Sequence, residues 1–463
     1  MHRMRWKTRV WALAIGSIAL PQAFAQTAFH VHFADSAGVV DAITRGDYDA
    51  LVALSKQPDI SQSPATVLAI QAGEARVRGN LAQSTQFAKQ CYKPESLADG
   101  HSADMICGLL LAGNALDQGD IATWAKLTLE IKEKSKPMLD KFALLSLAQW
   151  QQTTGKAIDA KTMLANYDVD AFALVAELEN FGQWPYATTL EGDSSKASAV
   201  ALSWNATDPT KQESRLPFVN LTVNGHTVSA LLDTGSSVSL AISPEDAQKF
   251  GISHITPGWI KLDHLGTMES ASLGNADTVS LGGERFKHLP VVVTPGAPMP
   301  VIGANLLRQL GSYKLSSTQL TVLPQLPASC AVPITVSSAI SGPLSYLIYP
   351  IDLDGQPQQA IFDTGMAMPL FGMARNFEAL ANAPGAQTKV VSFLIGGEPR
   401  TTPYVQRSAQ LTLDRQTLKI DYPTFDGRNE AFSYGLASHI LDHFDFYADF
   451  NNGRMCFVAD KKS

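Results

Sequence analysis

The sequence predicts a multidomain α and β protein, with an N-terminal array of α-hairpins followed by a β-rich region built as two lobes. Residues from about 30 to 180 are rich in Ala, Leu, Gln, Lys and Glu, which favour helices. From Leu216 onward short apolar runs alternate with Gly, Pro and Asn, a pattern typical of strands and turns. One stretch of this second part occurs twice, which predicts two similar lobes.

The chain begins with the pattern of a secretory signal peptide. Basic residues up to Arg9 precede the apolar run from Trp11 to Leu20, and Ala23-Phe24-Ala25 forms a small-x-small cleavage site before Gln26. An uncleaved anchor is the alternative, although the run is short for a membrane span. We therefore expect an exported protein, periplasmic or secreted, without a membrane span after signal removal.

Charge and cysteine content agree with an exported protein. The net charge is -7 and charged residues make up 17% of the chain, so nothing indicates a nucleic acid or an anionic membrane as partner. Four cysteines are an even number, as disulfides require. We predict the pairs Cys91–Cys107 and Cys330–Cys456, with four buried thiols as the alternative.

Glycine-containing turns recur within the predicted helical region. The glycines are 33, 40 and 36 residues apart, at Gly46, Gly79, Gly119 and Gly155. Helical hairpins with periods near 34 residues resemble tetratricopeptide-type repeats, which present a concave surface to a peptide or partner protein. The alternative is a plain helical domain that packs on its neighbour.

The duplicated stretch ends each time in Asp-Thr-Gly. Residues 216–233 read LPFVNLTVNGHTVSALLD, and residues 346–363 read YLIYPIDLDGQPQQAIFD. Asn224-Gly225 lies opposite Asp354-Gly355, and both dipeptides are strong hairpin signals. Each copy therefore predicts a hairpin whose second strand offers an aspartate, Asp233 or Asp363, at its tip.

A second shared feature follows each aspartate. Residues 300–310 and 432–444 both predict a strand that reaches a glycine, Gly303 or Gly435, and then a short helix and a strand pair. The predicted closing strands are 319–323 and 454–458. These patterns divide the chain as follows: signal peptide 1–25, helical domain 26–190, linker 191–214, first lobe 215–326, inter-lobe linker 327–342 and second lobe 343–463.

Over roughly 215–460 these motifs resemble the aspartic proteases of the retropepsin and pepsin type. The resemblance implies two lobes related by a pseudo-twofold axis, with Asp233 and Asp363 as the catalytic pair at the centre. Two carboxylates this close share one proton. The ionised acid activates a water that attacks a peptide carbonyl, and the protonated acid supports the developing oxyanion. The resemblance requires no metal and no cofactor.

The residues that follow each aspartate support it in the family. By position, Thr234 and Thr364 would cross-link the lobes beneath the acids. Gly235 and Gly365 would let the backbone close around the carboxylates. Ser236 would offer a hydroxyl to the Asp233 carboxylate.

The second lobe departs from this pattern. Met366 replaces the hydroxyl residue, so we expect the shared proton on Asp363. Ser433-Tyr434 fits poorly as the apolar pair before Gly435, and we predict that the helix that follows is two residues longer.

Two other features complete the interpretation. Hairpins at 262–272 and 392–404 are candidate covers for the cleft, or ordinary surface hairpins. His439 and His443 are four residues apart on the predicted helix, as in some metal sites, but the Glu of a zincin motif is missing. The metal alternative is therefore the weaker one.

The sequence thus favours an exported aspartic endopeptidase that acts on a peptide or protein, with a helical domain available to a partner protein. The departures at Met366 and Ser433-Tyr434 leave open a catalytically weak or inactive peptide-binding protein. A scaffold that works through its helical array is the third possibility.

Overall fold

The structure, a computed structural model, describes residues 34–61, 63–99, 102–134, 179–192, 196–206, 215–262, 268–295, 297, 299–338, 340–395, 398–427 and 432–459. The predicted signal peptide and the turn at Gly155 lie outside these residues. No helix within these ranges is long and apolar enough to cross a membrane.

Helices make up the described N-terminal part, as predicted. They are α1 (Ala34–Arg45), α2 (Tyr48–Ser55), α3 (Pro58–Ser61), α4 (Pro64–Val77), α5 (Leu81–Cys91), a 3₁₀ helix (Pro94–Asp99) and α6 (Ser102–Asp117), and residues 121–134 are also helical. The predicted disulfide Cys91–Cys107 is present and joins α5 to α6.

Three turns of one kind shape this array. Gly46, Gly79 and Gly119 have φ values of 68°, 69° and 74°, a left-handed conformation that glycine adopts without strain. After each glycine, the backbone N–H of an Asp or Asn bonds a carbonyl five residues earlier. The side chain of that residue then caps the next helix. The array of α-hairpins is therefore present, whereas the tetratricopeptide resemblance and partner binding stay predictions.

Strands form the second part. In chain order they are β1 (Thr189–Glu191), β2 (Ser198–Ala206), β3 (Arg215–Val223), β4 (His226–Asp233), β5 (Leu240–Ile242), β6 (Ser253–Leu262), β7 (Met268–Leu281), β8 (Glu284–Val293), β9 (Val301–Gly303), β10 (Ser312–Leu315), β11 (Gln319–Val322), β12 (Val332–Pro333), β13 (Val336–Ser338), β14 (Leu344–Leu353), β15 (Gln356–Asp363), β16 (Leu370–Ala374), β17 (Thr388–Ile395), β18 (Glu398–Leu413), β19 (Gln416–Asp426), β20 (Tyr434–Ala437), β21 (Phe444–Asp449) and β22 (Arg454–Ala459). Among the described residues, three short helices, α7 (Pro244–Lys249), α8 (Ala304–Gln309) and α9 (Phe377–Ala381), and a 3₁₀ helix (Ser438–Asp442) lie between them.

The two lobes share one topology. The first has the strand order β3-β4-β9-β5-β8-β7-β6, and the second has β14-β15-β20-β16-β19-β18-β17, which is the same order of equivalent strands. The parallel pairs are equivalent too: β4 with β9 and β5 with β8, against β15 with β20 and β16 with β19. The internal repeat seen in the sequence therefore extends over both lobes.

A shared sheet joins the lobes. Hairpin β10–β11 of the first lobe pairs antiparallel, through β10, with β21 of hairpin β21–β22. A pseudo-twofold axis thus passes between β10 and β21, where Lys314 and Asp445 form an ion pair of 2.7 Å. The predicted disulfide Cys330–Cys456 is present beside this sheet.

The predicted linkers contribute strands to this region. On the first side β2, which lies within 191–214, pairs with both β11 and β3. On the second side its counterpart is split into β12, which pairs with β22, and β13, which pairs with β14. The chain between them, residues 334–335, contacts the helical array through Arg78, which donates to Thr335 Oγ1 at 2.9 Å.

The helical array lies across both lobes. The turn at Gly46 packs against Val336 of β13 and Ile348 of β14, and the turn at Gly119 packs against Thr188 and Pro290 beside the first lobe. Gly79, between them, packs near Ile334 and Phe450. The same glycine turns that close the hairpins therefore seat the array on the β-rich region.

Candidate active site

Asp233 and Asp363 occupy equivalent positions at the ends of β4 and β15. Because side chains alternate along a strand, Leu232 and Phe362 enter the shared core, while each aspartate lies on the opposite face. A Cβ added to Gly235 would collide with the Asp363 carboxylate, and one added to Gly365 would collide with that of Asp233. The two Asp-Thr-Gly turns therefore interlock, and only glycine fits at these positions.

The carboxylates are held by matching contacts. Gly235 N–H donates to Asp233 Oδ1 at 2.9 Å, and Gly365 N–H donates to Asp363 Oδ1 at 2.9 Å. The two carboxylates are neighbours, because each lies against the glycine that follows the other acid by two residues. The structure therefore brings the predicted pair together at the lobe interface.

Two threonines connect the lobes directly beneath the acids. Thr234 N–H donates to Thr364 Oγ1, and Thr364 N–H donates to Thr234 Oγ1, both at 3.0 Å. Each hydroxyl then donates across the interface, from Thr234 to Phe362 O at 2.8 Å and from Thr364 to Leu232 O at 2.7 Å. Both threonines are buried, so every donor and acceptor of this symmetric set is satisfied within the protein.

The two acids differ in their surroundings. The pKa of Asp363 is raised well above its ordinary value, mainly because the side chain is buried and also because of the nearby Asp233 charge. The hydrogen bond from Gly365 N–H opposes this shift. Asp363 is 4% exposed, whereas Asp233 is only partly buried. Burial and the neighbouring charge therefore both favour the protonated form of Asp363.

The predicted reason for this asymmetry was wrong. The Ser236 hydroxyl makes no hydrogen bond to Asp233, and the described contacts of Ser236 involve its backbone. Ser236 O accepts from Ala304 N at 2.7 Å, and Met366 O accepts from Ser438 N at 3.1 Å. The backbone is thus equivalent in both lobes, and burial rather than a missing hydroxyl distinguishes the acids.

The predicted register of the second lobe was also wrong, by two residues. In the parallel pairs Asp233 lies beside Gly303 and Asp363 lies beside Ala437, so Ala437 and not Gly435 is the equivalent of Gly303. The apolar pair is therefore Gly435-Leu436, and the following helix, Ser438–Asp442, is not lengthened. A glycine does not mark this position in the second lobe, because alanine occupies it there.

Gly435 serves a different purpose that the sequence did not reveal. It occupies the position of Val301, and Phe371 occupies that of Ala241. A Cβ on Gly435 would collide with the Phe371 ring. In the first lobe the larger residue of the pair is Val301 on β9, whereas in the second lobe it is Phe371 on β16. The large and the small residue have therefore changed places between these two neighbouring strands. In the sequence, the signal for this packing was Gly435 itself, a glycine directly before the apolar Leu436.

The histidine pair does not form the predicted helical face. Ser438–Asp442 is a 3₁₀ helix with about three residues per turn, so residues four apart do not align on it. His439 Nε2 lies 3.0 Å from Arg215 O, while His443 follows the helix. No group of three metal-ligating side chains occurs in the part of the chain that the structure describes.

Apolar residues border the carboxylates on both sides. On the first lobe Leu216, Phe218 and Leu231 cluster with Met299 and Ala367. On the second lobe the cluster contains Ile348, Ile361, Phe371, Phe425 and Ala437, with Tyr346, Met366, Met368, Met373, Val391, Tyr404 and Phe432 packed against it. The acids therefore lie between two apolar clusters whose main members are buried.

The two predicted cover hairpins exist as β6–β7 and β17–β18, and their tips lie outside the described residues. The second contributes Val391 and Tyr404 to the apolar cluster of its own lobe. The first contributes Ala271 and Leu273 to a cluster that contains Trp124 and Phe181 of the helical region. The base of the first hairpin, β6–β7, therefore packs against the helical region.

Comparison with known proteins agrees with this site. Residues 219–307 match the model of the family described as Aspartyl protease. Over these residues the chain is similar to aspartyl proteases. The family supports a peptidase, and thus a peptide or protein as substrate.

Similar solved structures include two proteases. One is an aspartic proteinase from Irpex lacteus, with 15% identity and a TM-score of 0.40, over 57% of this chain and 98% of that chain. Another is a retropepsin-like aspartic protease from Rickettsia conorii, with 22% identity and a TM-score of 0.23, over 30% of this chain and 95% of that chain. No curated protein matches the sequence.

Proposed function

We propose that this protein is an exported aspartic endopeptidase that hydrolyses peptide bonds with a water activated by Asp233 and Asp363. The observation that carries the proposal is the carboxylate pair, which two interlocked Asp-Thr-Gly turns hold side by side at the lobe interface. Thr234, Thr364, Gly235 and Gly365 hold this geometry by backbone and hydroxyl contacts, while Ser236 contributes its backbone.

The unequal surroundings of the acids assign their roles. Asp233, as carboxylate, takes a proton from the attacking water, and the Asp363 carboxylic acid gives its proton to the peptide carbonyl oxygen. The new C–O bond yields a neutral gem-diol. Asp233 then returns its proton to the amide nitrogen as the C–N bond breaks, and Asp363 regains a proton from a diol hydroxyl. The pair ends the cycle in its starting state.

The apolar clusters on both sides of the acids, each with partly buried residues such as Met299 and Met366 at its edge, support an endopeptidase. A substrate that contacts both must extend in both directions from the bond that is cut, which an internal peptide bond allows. Leu231 and Ile361 lie on the same strand faces as the acids. We therefore expect the preferred substrates to carry apolar side chains next to the cleaved bond.

Two disulfides support an oxidising compartment, which agrees with a periplasmic or secreted protein. The predicted signal peptide would direct this export.

Digestion of a peptide library by the purified protein, from acidic to neutral pH, tests the proposal. We expect internal cleavage next to apolar residues, and none with Asp233→Asn as the matched control. Removal of terminal residues alone would contradict the endopeptidase assignment. Binding of the peptides without cleavage would instead favour the non-catalytic alternative, which the Met366 departure left open.

A further inference from the structure

A buried ionic cluster lies between the helical array and the two lobes. Asp117, the last residue of α6, has no exposed surface. A carboxylate at a helix C-terminus is disfavoured by the helix dipole, so its charge must be compensated from elsewhere. Arg76 Nη1 lies 3.1 Å from one Asp117 oxygen, and Arg308 Nη2 lies 3.4 Å from the other. Both arginines are buried too, so solvent screens none of these charges effectively.

Arg308 connects Asp117 to the support of Asp233. Its Nη2 donates to Asp117 O at 2.5 Å and to Asn305 Oδ1 at 2.7 Å. Both Arg308 and Asn305 belong to α8, which begins immediately after Gly303. Gly303 pairs directly with Asp233 across β9 and β4. A shift of α8 would therefore move the strand beside the first acid.

The same carboxylate reaches the support of Asp363. Leu344 N–H donates to Asp117 Oδ1 at 2.9 Å. Leu344 begins β14, the hairpin partner of β15, and β15 ends at Asp363. One side chain of the helical array thus contacts elements that hold both acids, although it lies in neither lobe.

Further hydrogen bonds fix the segment that leads into the second lobe. Arg76 donates from Nε to Ser338 Oγ at 3.0 Å and from Nη2 to Gly342 O at 2.6 Å. Trp124 Nε1 donates to Ser341 O at 3.2 Å. The array therefore binds the connection between the lobes as well as each lobe.

We propose that Asp117 is a positioning residue, through which the helical array clamps the two lobes at the spacing that the carboxylate pair requires. This inference rests on the proposed peptidase function for its catalytic consequence. It assigns the array to the catalytic unit, whereas the sequence had predicted an array available to a partner.

Asp117→Asn tests the clamp. The asparagine keeps the size of the side chain but removes the charge that both arginines face. We expect kcat/KM to fall by about tenfold to hundredfold, mostly in kcat, because small displacements of reacting groups carry such costs. Asp41→Asn is the matched control, since Asp41 forms an exposed ion pair with Arg45 on the same array. It should leave kcat/KM unchanged.

The pH profile separates positioning from a simple loss of folded protein. If the lobes part, each carboxylate affects the other less, so the two apparent pKa values of the pair approach each other. The pH profile of kcat/KM in Asp117→Asn should therefore narrow from both sides. A variant that merely contains less folded enzyme would keep both limbs in place. Unchanged limbs together with an unchanged kcat would overturn the proposal.

A second variant and a second readout keep the test decisive. Arg308→Lys retains the charge but loses the fork of donors, and it should narrow the profile in the same direction by less. Hydrogen exchange should rise in residues 301–310 and 341–349 of both variants and not in Asp41→Asn. If the wild-type protein cleaves no peptide, the proposed function fails. Hydrogen exchange in the variants would then still show whether Asp117 holds the two lobes in place. Unchanged exchange in both segments would refute the clamp even in an active enzyme.

Discussion

The two lobes have the same strand order but cover the face that carries the acid in different ways. In the second lobe, large residues of the lobe itself fill this face, among them Phe371 and Tyr404. The equivalent positions of the first lobe are Ala241 and Ala271, which cluster with Trp124 of the helical region. One lobe therefore supplies its own aromatic cover, and the other receives it from the array.

This difference shows which features the two aspartates require in both lobes and which features can differ between the lobes. The Asp-Thr-Gly turns and the threonine contacts are nearly identical on both sides, with distances that agree within 0.1 Å between equivalent bonds. The surrounding face differs in residue size at equivalent positions. Symmetry is thus concentrated at the acids and decreases with distance from them.

The largest effect is expected at the acids. Asp233→Asn and Asp363→Asn should each lower kcat/KM by about 10²–10⁴-fold or more, because one cycle uses each acid as proton donor and acceptor. Steady-state kinetics on one peptide from the library measures both losses. A fully active Asp363→Asn would show that the lobes are not equal partners in the chemistry.

The exchange of large and small residues gives the next largest effect. Phe371→Ala should cost about 3–5 kcal/mol of unfolding free energy because it leaves a cavity. Gly435→Val should also destabilise, since the ring of Phe371 occupies that space. The double variant recreates the Val301–Ala241 pair of the first lobe. Its loss of unfolding free energy should be about 1–3 kcal/mol smaller than the sum of the losses in the two single variants.

Denaturant unfolding of the two single variants and the double variant measures this coupling. Strict additivity would mean that the two positions do not compensate each other.

Substitution of either threonine beneath the acids should lower the free energy of unfolding by a smaller amount, which should be similar for the two residues. Thr234→Val and Thr364→Val each remove a hydroxyl that donates one buried hydrogen bond and accepts another. Each should cost about 2–4 kcal/mol, because a buried N–H and a carbonyl lose their partner. Thr412→Val, at an exposed hydroxyl contact with Thr417, is the control and should cost less than about 0.5 kcal/mol.

Thermal unfolding of the three variants compares them. Clearly unequal losses at Thr234 and Thr364 would place the asymmetry of the lobes beneath the acids as well as around them.

The smallest effect is expected for Met366→Ser. Because the Ser236 hydroxyl does not bond Asp233, a hydroxyl at position 366 should not bond Asp363 either. The acidic limb of the kcat/KM profile should therefore stay in place, which can be measured against wild type on one peptide. A downward shift of that limb would restore the role that the sequence assigned to this hydroxyl.

The sequence revealed the features that repeat and missed those that depend on packing. The hairpin signals and the two Asp-Thr-Gly motifs are local, and they predicted the lobes and the position of each acid. The equivalence of Ala437 with Gly303 depends on strand register, which a single glycine does not determine. The burial of Asp363 and the contacts of Asp117 with Arg308 and Leu344 depend on residues that are distant in the sequence, so no local pattern could indicate them.

The central claim is a carboxylate pair that shares one proton, held mainly by Asp363. The most direct measurement is the titration of the Asp363 side-chain carboxyl by ¹³C NMR, in wild type and in Asp233→Asn. In wild type we expect Asp363 to stay protonated well above the ordinary pKa of an aspartate. In Asp233→Asn its pKa should fall, because one negative neighbour is gone, yet stay raised because the side chain is buried. An ordinary pKa in wild type, or a titration that Asp233→Asn leaves unchanged, would contradict the pair.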